Sequence, residues 1–226
     1  MAGITRLIRR AEQAYRIEGL GSLLRRAFAY CIFQYRTYVL FYTDMDENLR
    51  RLNQAQPMLR IAGFASRTIC TNGEADELEA QGFEFRSKVV NAGEVLDSSA
   101  AAVCVFVGGE LAGVGWVAFT QKAMDALSNP PYSVDFGSGE TCTGNWSINP
   151  KHRGVRLAPY ISFLVINFLH EKGVKVDRTV VGTKNTASLR ATEKAGYIAW
   201  GIGRHLRILW WESWKERPLA LESAER

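Results

Sequence analysis

Between residues 4 and 24 apolar side chains recur at a helical period, at Ile4, Leu7, Ile8, Ala11, Ala14 and Tyr15, with arginines on the other face. This spacing predicts a basic amphipathic helix. Gly19 and Gly21 interrupt it before a second basic stretch, 23–26, and an aromatic run over 27–42 that Gln34 and Arg36 break. Residues 44–56 are polar, a helix or a linker, and Pro57 marks a boundary. Beyond it the pattern changes. Residues 67–71 read as a first strand, 74–80 as an acidic helix and 93–96 as a short helical stretch. Two β-branched runs, 101–107 and 111–119, flank Gly108-Gly109 and predict a hairpin. Residues 121–139 contain Asn129-Pro130-Pro131 and several glycines, which predicts a long loop of the kind often used for binding. Strand 140–148 resumes the sheet. A helix over 159–172, a strand over 174–182, a helix opening at Asn185, a strand pair at 198–203 and 205–211, and a tail from Pro218 complete the chain.

This succession predicts an α/β fold, a mixed and largely antiparallel sheet with helices on both faces. The sheet domain occupies 57–217. A basic, aromatic, helical extension over 1–56 precedes it, and 218–226 form a C-terminal tail.

Composition sharpens the picture at one place. A hydrophobic content of 47% over 226 residues is enough for a sizeable core, one domain with extensions. The net charge of +5 is not spread along the chain: residues 1–36 hold seven arginines against Glu12 and Glu18, and the rest balances. The sequence pI near 9.1 therefore describes an arm. Nucleic-acid binding, which calls for basic residues on a folded face, is not expected. The amphipathic helix beside Phe and Tyr side chains suits peripheral contact with an anionic membrane through residues 1–36. Alternatively its apolar face packs on the domain, or on a second copy in a homo-oligomer. The aromatic run is too short and interrupted for a membrane span, which takes ~20 apolar residues, and no signal-peptide cleavage pattern follows it. The four cysteines, Cys31, Cys70, Cys104 and Cys142, form no CxxC pair and the three histidines no ligand spacing. No metal site is expected, and a reducing, cytoplasmic location suits the thiols.

The chemistry gathers in two stretches. Residues 146–158, WSINPKHRGVRLA, read as a strand that ends at Pro150, crosses a basic turn and opens a helix. The first turn of a helix has backbone N–H groups without internal partners and the positive end of its dipole, so the junction is an anion site. Lys151, His152, Arg153 and Arg156 add positive charge there. The second stretch follows a strand: Asn185 and Ser188 open a helix whose end reads Glu193-Lys194-Ala195-Gly196-Tyr197, with Gly196 suited to the left-handed residue past a helix end.

Together these stretches resemble the GNAT acyltransferases. Arg153-Gly154-Val155-Arg156-Leu157-Ala158 is similar to that family's acyl-CoA pyrophosphate loop, and Asn185-x-x-Ser188 with Glu193-Lys194-x-Gly196-Tyr197 to its second motif. The resemblance runs over about 101–214. It implies a GNAT-like sheet and an acyl-CoA-dependent N-acyltransferase, with acetyl-CoA the foremost donor, acting directly on an amine. The backbone of 153–158 would hold the pyrophosphate, Asn185 and Ser188 would meet the pantetheine arm, and the strand end at Ile148 would pair with it. Two positions depart from the family: Arg156 stands where glycine is usual, and Thr192 where many members carry a tyrosine general acid. Glu140 is the first candidate for a catalytic base and Asp135 the next. Cys142 reads as a buried, unreactive thiol. Thr143, Asn145 and Ser147 alternate along one strand face and would line the acceptor pocket, with Trp116 and Trp146 as core or pocket wall. The acceptor is an unidentified amine, a small molecule, an envelope precursor or a lipid-linked amine. Two other functions suit the same residues: a GNAT-like module that binds CoA or a partner without turnover, and a long-chain acyltransferase at the membrane surface.

Overall fold

Residues 33–44, FQYRTYVLFYTD, alternate as a two-sided strand does, with Val39 and Phe41 packed on one side and Leu40 on the other. Aromatic and β-branched side chains favour such a strand. The computed structural model describes residues 33–54, 59, 61–209 and 211–219. In it this segment is β1 (Phe33–Asp44), followed by α1 (Met45–Gln54), β2 (Phe64–Ile69), α2 (Asn72–Ala80), α3 (Ala92–Leu96), β3 (Ala100–Val107), β4 (Glu110–Ala118) and α4 (Gln121–Ala126). Then come β5 (Thr141–Ile148), α5 (Leu157–Glu171), β6 (Val176–Gly182), α6 (Thr186–Lys194), β7 (Ile198–Ile208) and β8 (Trp211–Pro218).

The strands form one sheet in the order β2-β3-β4-β5-β6-β1-β7-β8. Every neighbouring pair is antiparallel except β5 and β6. The expected mixed, largely antiparallel α/β layer is therefore present. The expected boundary is corrected: β1 lies deep in the sheet, paired with β6 from Tyr38 to Asp44 and with β7 from Phe33 to Tyr42. Residues 33–54 thus belong to the sheet domain and not to a helical extension, because only the central slot buries Leu40 and Phe41, each 1% exposed. The amphipathic helix expected over 4–24 lies outside the described residues. The closing strand pair is also redrawn: β7 runs unbroken through Arg204, and the turn falls after Ile208, where Leu209 has a positive φ of 55°.

Helices cover both faces. One core joins α2, α3 and α4 to the sheet through Leu78, Val95, Met124, Phe106 and Trp116; the other joins α5 through Ile161, Val165, Ile166 and Leu169 to Val103, Val105 and Val117. α5 lies close because β4 has no side chain beneath it at Gly113, where a Cβ would stand 2.7 Å from Ile161 and 2.9 Å from Ile148. Asn48 on α1 fastens the end of α6, donating to the Ala195 carbonyl and to Thr43 Oγ1, both at 2.9 Å. Gly196, with φ +90°, lets the chain turn against that amide, as its place after the helix predicts.

Two irregularities shape the middle of the sheet. β5 and β6 pair only through Thr141 with Asp177 and Cys142 with Arg178, and then diverge. Against β4, the β5 register shifts between Ser147 and Gly144, so β5 has one extra residue there, with Asn145 at φ 51°. A bulge of this kind bends its strand and re-aims side chains.

Candidate functional site

The divergence of β5 from β6 leaves a cavity of about 330 Å³ inside the sheet domain. Trp146 and Ile148 from β5, Ala158 and Ser162 from α5, Val181 and Gly182 from β6, and Asn185, Ser188, Ala191 and Thr192 around α6 line it. Both stretches singled out in the sequence therefore reach one space. Among the described residues its lining carries no Asp, Glu, His, Lys or Arg. Along the gap, β5 beyond Cys142 has no strand partner on its β6 side, an internal strand edge able to pair with an extended amide-bearing chain. Side chains tie the two strands at the closed end of the gap: Thr179 Oγ1 donates to the Thr143 carbonyl and Thr143 Oγ1 to Asp177, both at 2.9 Å.

Of the expected binding residues, Ile148, Ala158, Asn185 and Ser188 line this cavity. Arg153, Gly154, Val155, Arg156 and Leu157 lead into α5 at its mouth, since Ala158 is both cavity wall and first-turn residue. The backbone N–H groups of 154–158 donate to no other described residue. α5 has no side-chain cap either: Arg156 occupies the cap position in the left-handed region, φ 65° and ψ 26°. The junction has the unpaired donors that an anion needs. Its charge is smaller than expected, because Glu110 binds Lys151 Nζ at 2.9 Å and stands 4.0 Å from His152 Nε2, which leaves Arg153 and Arg156, both exposed, at the turn. Asn185 caps α6, its side chain accepting from Ser188 N–H at 3.2 Å, so its amide NH₂ remains for a ligand.

A second cavity, about 290 Å³, lies on the opposite face between β4–β5 and α3–α4. Val95, Leu111, Val114, Trp116 and Leu127 supply apolar walls; Asn91, Ser128, Asn145 and Ser147 supply amides and hydroxyls; among the described residues Lys88 is the sole charged side chain of its lining. Asn145 borders both cavities and donates from its side-chain amide to the Leu127 carbonyl at 2.8 Å. The bulge corrects the expected alternation. Thr143 faces the first cavity while Ser147 faces the second, since the extra residue inverts the two-residue period between them. Trp146 is a wall of the first cavity and Trp116 of the second.

Glu140 borders neither cavity. Arg178 grips it bidentately, at 2.6 and 2.7 Å, and it accepts from Asp135 N–H at 2.8 Å. The Arg178 hydrogen bond holds its carboxyl below the usual range, so it is a structural tie and a poor base. Asp135 caps the 3₁₀ turn Phe136–Ser138. Cys142 is buried, and burial pushes its thiol up to about 12, in keeping with an inert role.

The feature that sequence reading missed lies at the closed end of the gap. Asp177, 0% exposed, accepts from Thr141 Oγ1 at 2.8 Å, Thr143 Oγ1 at 2.9 Å and Tyr197 OH at 2.7 Å. Burial raises its carboxyl to about 7. An aspartate two residues before Thr179 and four before Val181, on the inward side of V-D-R-T-V-V-G, was the signal. Among the described residues no cluster of His, Cys, Asp and Glu could hold a metal ion, and no helix is long and apolar enough to cross a membrane.

No family model and no curated protein matches the chain. Solved structures similar to it include a tandem GNAT protein from the clavulanic acid biosynthesis pathway, at 17% identity over 86% of this chain and 58% of that one, with a TM-score of 0.48. A GCN5-related N-acetyltransferase from Kribbella flavida has 14% identity over 84% of this chain and 64% of its own, with a TM-score of 0.48. One from Sphaerobacter thermophilus has 14% identity over 89% and 57%, with a TM-score of 0.44. These structural neighbours are GNAT proteins. The chain spans less than two thirds of the length of each, and likeness of this degree assigns it neither an activity nor a substrate.

Proposed function

We propose that the chain is an acyl-CoA-dependent N-acyltransferase, with acetyl-CoA the expected donor, passing the acyl group directly from the thioester to an amine. One observation carries this reading: two cavities on opposite faces of the sheet share Asn145, where β5 bulges and parts from β6. A thioester and an amine can thus reach the same point from opposite sides, which gives the proximity that acyl transfer requires.

The residues suit such a donor. Unpaired N–H groups of 154–158, with Arg153 and Arg156, would hold the diphosphate. The free β5 edge up to Ile148, with the Asn185 amide and Ser188, would hold the amide-bearing arm. Once bound ligands displace water from the cavity, β5 backbone N–H groups at the bulge would polarise the thioester carbonyl more strongly than they would in solvent. Thr192 supplies a hydroxyl in the cavity wall, while the Tyr197 hydroxyl is committed to Asp177.

The test is calorimetry with acetyl-CoA on the full chain and on Arg153→Glu and Ala191→Trp. Arg153 and Ala191 are exposed, so both variants should fold; one reverses the charge at the turn and the other fills the cavity. Each should bind at least tenfold more weakly, about 1.4 kcal/mol. Unchanged affinity in both would overturn the reading.

We also propose that the arginine-rich N-terminal segment brings the enzyme to an anionic membrane surface, each arginine contributing about 1 kcal/mol near the leaflet. The full chain should sediment with anionic vesicles at low salt and be released by high salt. A chain beginning at Phe33, which keeps β1 whole, should stay in solution. Equal behaviour of the two chains would remove the membrane from the proposal.

A further inference from the structure

Strands β1, β7 and β8, at one side of the sheet, have a face whose apolar side chains stand open toward the β7–β8 turn. Residues directly opposite in antiparallel strands project from the same face, so the register defines its rows. Val39, Ile202 and Arg217 form one row, Thr37, Arg204 and Lys215 the next, and Tyr35, Leu206 and Ser213 the third; Ile208 and Trp211 close the face at the turn. Tyr35, Ile202, Leu206, Ile208 and Trp211 belong to neither core, and Tyr35 and Trp211 are 55% and 53% exposed. Leu209, in the turn itself, is exposed as well. A contiguous patch of this kind on a folded domain is a contact surface.

Its charge is of one sign. Arg204, Lys215 and Arg217 are exposed and form no ion pair with a described residue, and no Asp or Glu stands in these rows. The carboxylates of β8 lie on the other face, where Glu212 meets His205 and Glu216 accepts from Trp214 Nε1 at 2.7 Å and from Ser133 N–H at 2.9 Å. At a rise of about 3.4 Å per residue, the Arg204 and Lys215 row stands about 7 Å behind Tyr35 and Leu206 and about 14 Å behind Ile208 and Trp211. A protein at a membrane interface sinks aromatic and apolar side chains about 5–10 Å into the headgroup boundary and keeps basic residues among the phosphates. The rows follow that order.

Charge also selects what covers them. A second copy would set the same cations against each other, and residues 1–32 carry six arginines against Glu12 and Glu18, so both are repelled. The chain enters β1 at Phe33, directly opposite Ile208. An arm lying on an anionic leaflet therefore delivers this end of the sheet to the same leaflet. We propose that the face of Tyr35, Leu206, Ile208 and Trp211, with Arg204, Lys215 and Arg217 behind it, docks on an anionic membrane surface and fixes the orientation of the domain that the arginine-rich segment tethers. The proposal rests on the membrane reading of that segment, because three cations are too few to hold the domain by themselves. Gly182, the last residue of β6, lies opposite Tyr38, and β5 runs parallel to β6. The open end of the first cavity is thereby set on the leaflet's side.

The experiment measures co-sedimentation of the full chain with vesicles of phosphatidylcholine and phosphatidylglycerol, together with its oligomeric state by light scattering. Arg204→Gln with Lys215→Gln should weaken vesicle affinity by about tenfold or more, and Trp211→Ala by severalfold. Lys122→Gln with Lys194→Gln removes the same charge from exposed places away from this face. Charges beyond a Debye length of the leaflet are screened, so that control pair should change affinity by less than about threefold. A full chain that ignores the vesicles would overturn the membrane reading and this face with it. Binding that the Arg204, Lys215 and Trp211 variants leave unchanged, or that the control pair weakens equally, would overturn the face alone. A dimer that Trp211→Ala takes apart would assign the face to a second copy and overturn the proposal as well.

Discussion

The two ends of the gap between β5 and β6 are built on opposite terms. At the closed end, Thr141, Thr143, Tyr197 and Asp177 bury four polar side chains and give each a partner. At the open end, the backbone N–H groups of 154–158 stand without partners among the described residues and Arg156 holds a left-handed conformation. Buried polar groups are tolerable only when satisfied, whereas exposed unsatisfied ones await a ligand. Stability is therefore concentrated at the closed end and binding at the open one, and the first fixes the angle at which the second opens.

The sharpest way to break this contrast is Asp177→Ala. It strands three buried hydroxyls, each costing about 1–3 kcal/mol, so chemical denaturation should show a loss of about 3 kcal/mol or more. A loss as small as that of Ala191→Trp at the open end would mean that the closed end is not the fastening.

A smaller effect follows from the titration of the same group. The folded chain keeps the Asp177 proton up to about pH 7, while an unfolded aspartic acid loses it near 3.8. The folded state thus binds more protons in that window. Its contribution to stability is full below about pH 4 and is lost as pH rises through about 7, a few kcal/mol in all. The melting midpoint should be lower at pH 8 than at pH 5.5, and Asp177→Asn should abolish most of that difference. An Asn variant with the wild-type pH profile would assign the dependence to other groups.

The smallest effect belongs to the open end. Arg156→Gly relieves a left-handed residue at the α5 cap and should stabilise the fold by up to about 1 kcal/mol. It should also weaken acetyl-CoA severalfold, because a guanidinium leaves the anion site. Tighter binding would show that the side chain obstructs the cleft.

Much of this was legible in the chain itself. The hairpin around Gly108-Gly109, the apolar period of α5, the Asn185 cap and Gly196 are each encoded within a few consecutive residues, by local backbone preference and helical or strand period. The loop before α5 could be read as an anion site for the same reason, since a helix start exposes its own N–H groups whatever surrounds it. What no local pattern holds is partnership. That β1 enters the sheet between β6 and β7 depends on pairing with residues more than a hundred positions away, and its aromatic run is equally at home in an exposed arm. The bulge that turns Ser147 to the opposite face from Thr143 exists only against β4. Glu140 had the look of a free carboxylate until β6 placed Arg178 beside it, and the role of Asp177 appears only once Tyr197 and two threonines close over it. The sequence by itself determined the hairpin, the α5 and α6 helices and their caps, because those energies are short-range. Only the tertiary structure decided which side chains are spent on one another and which remain for a ligand, because that depends on contacts made when distant strands meet.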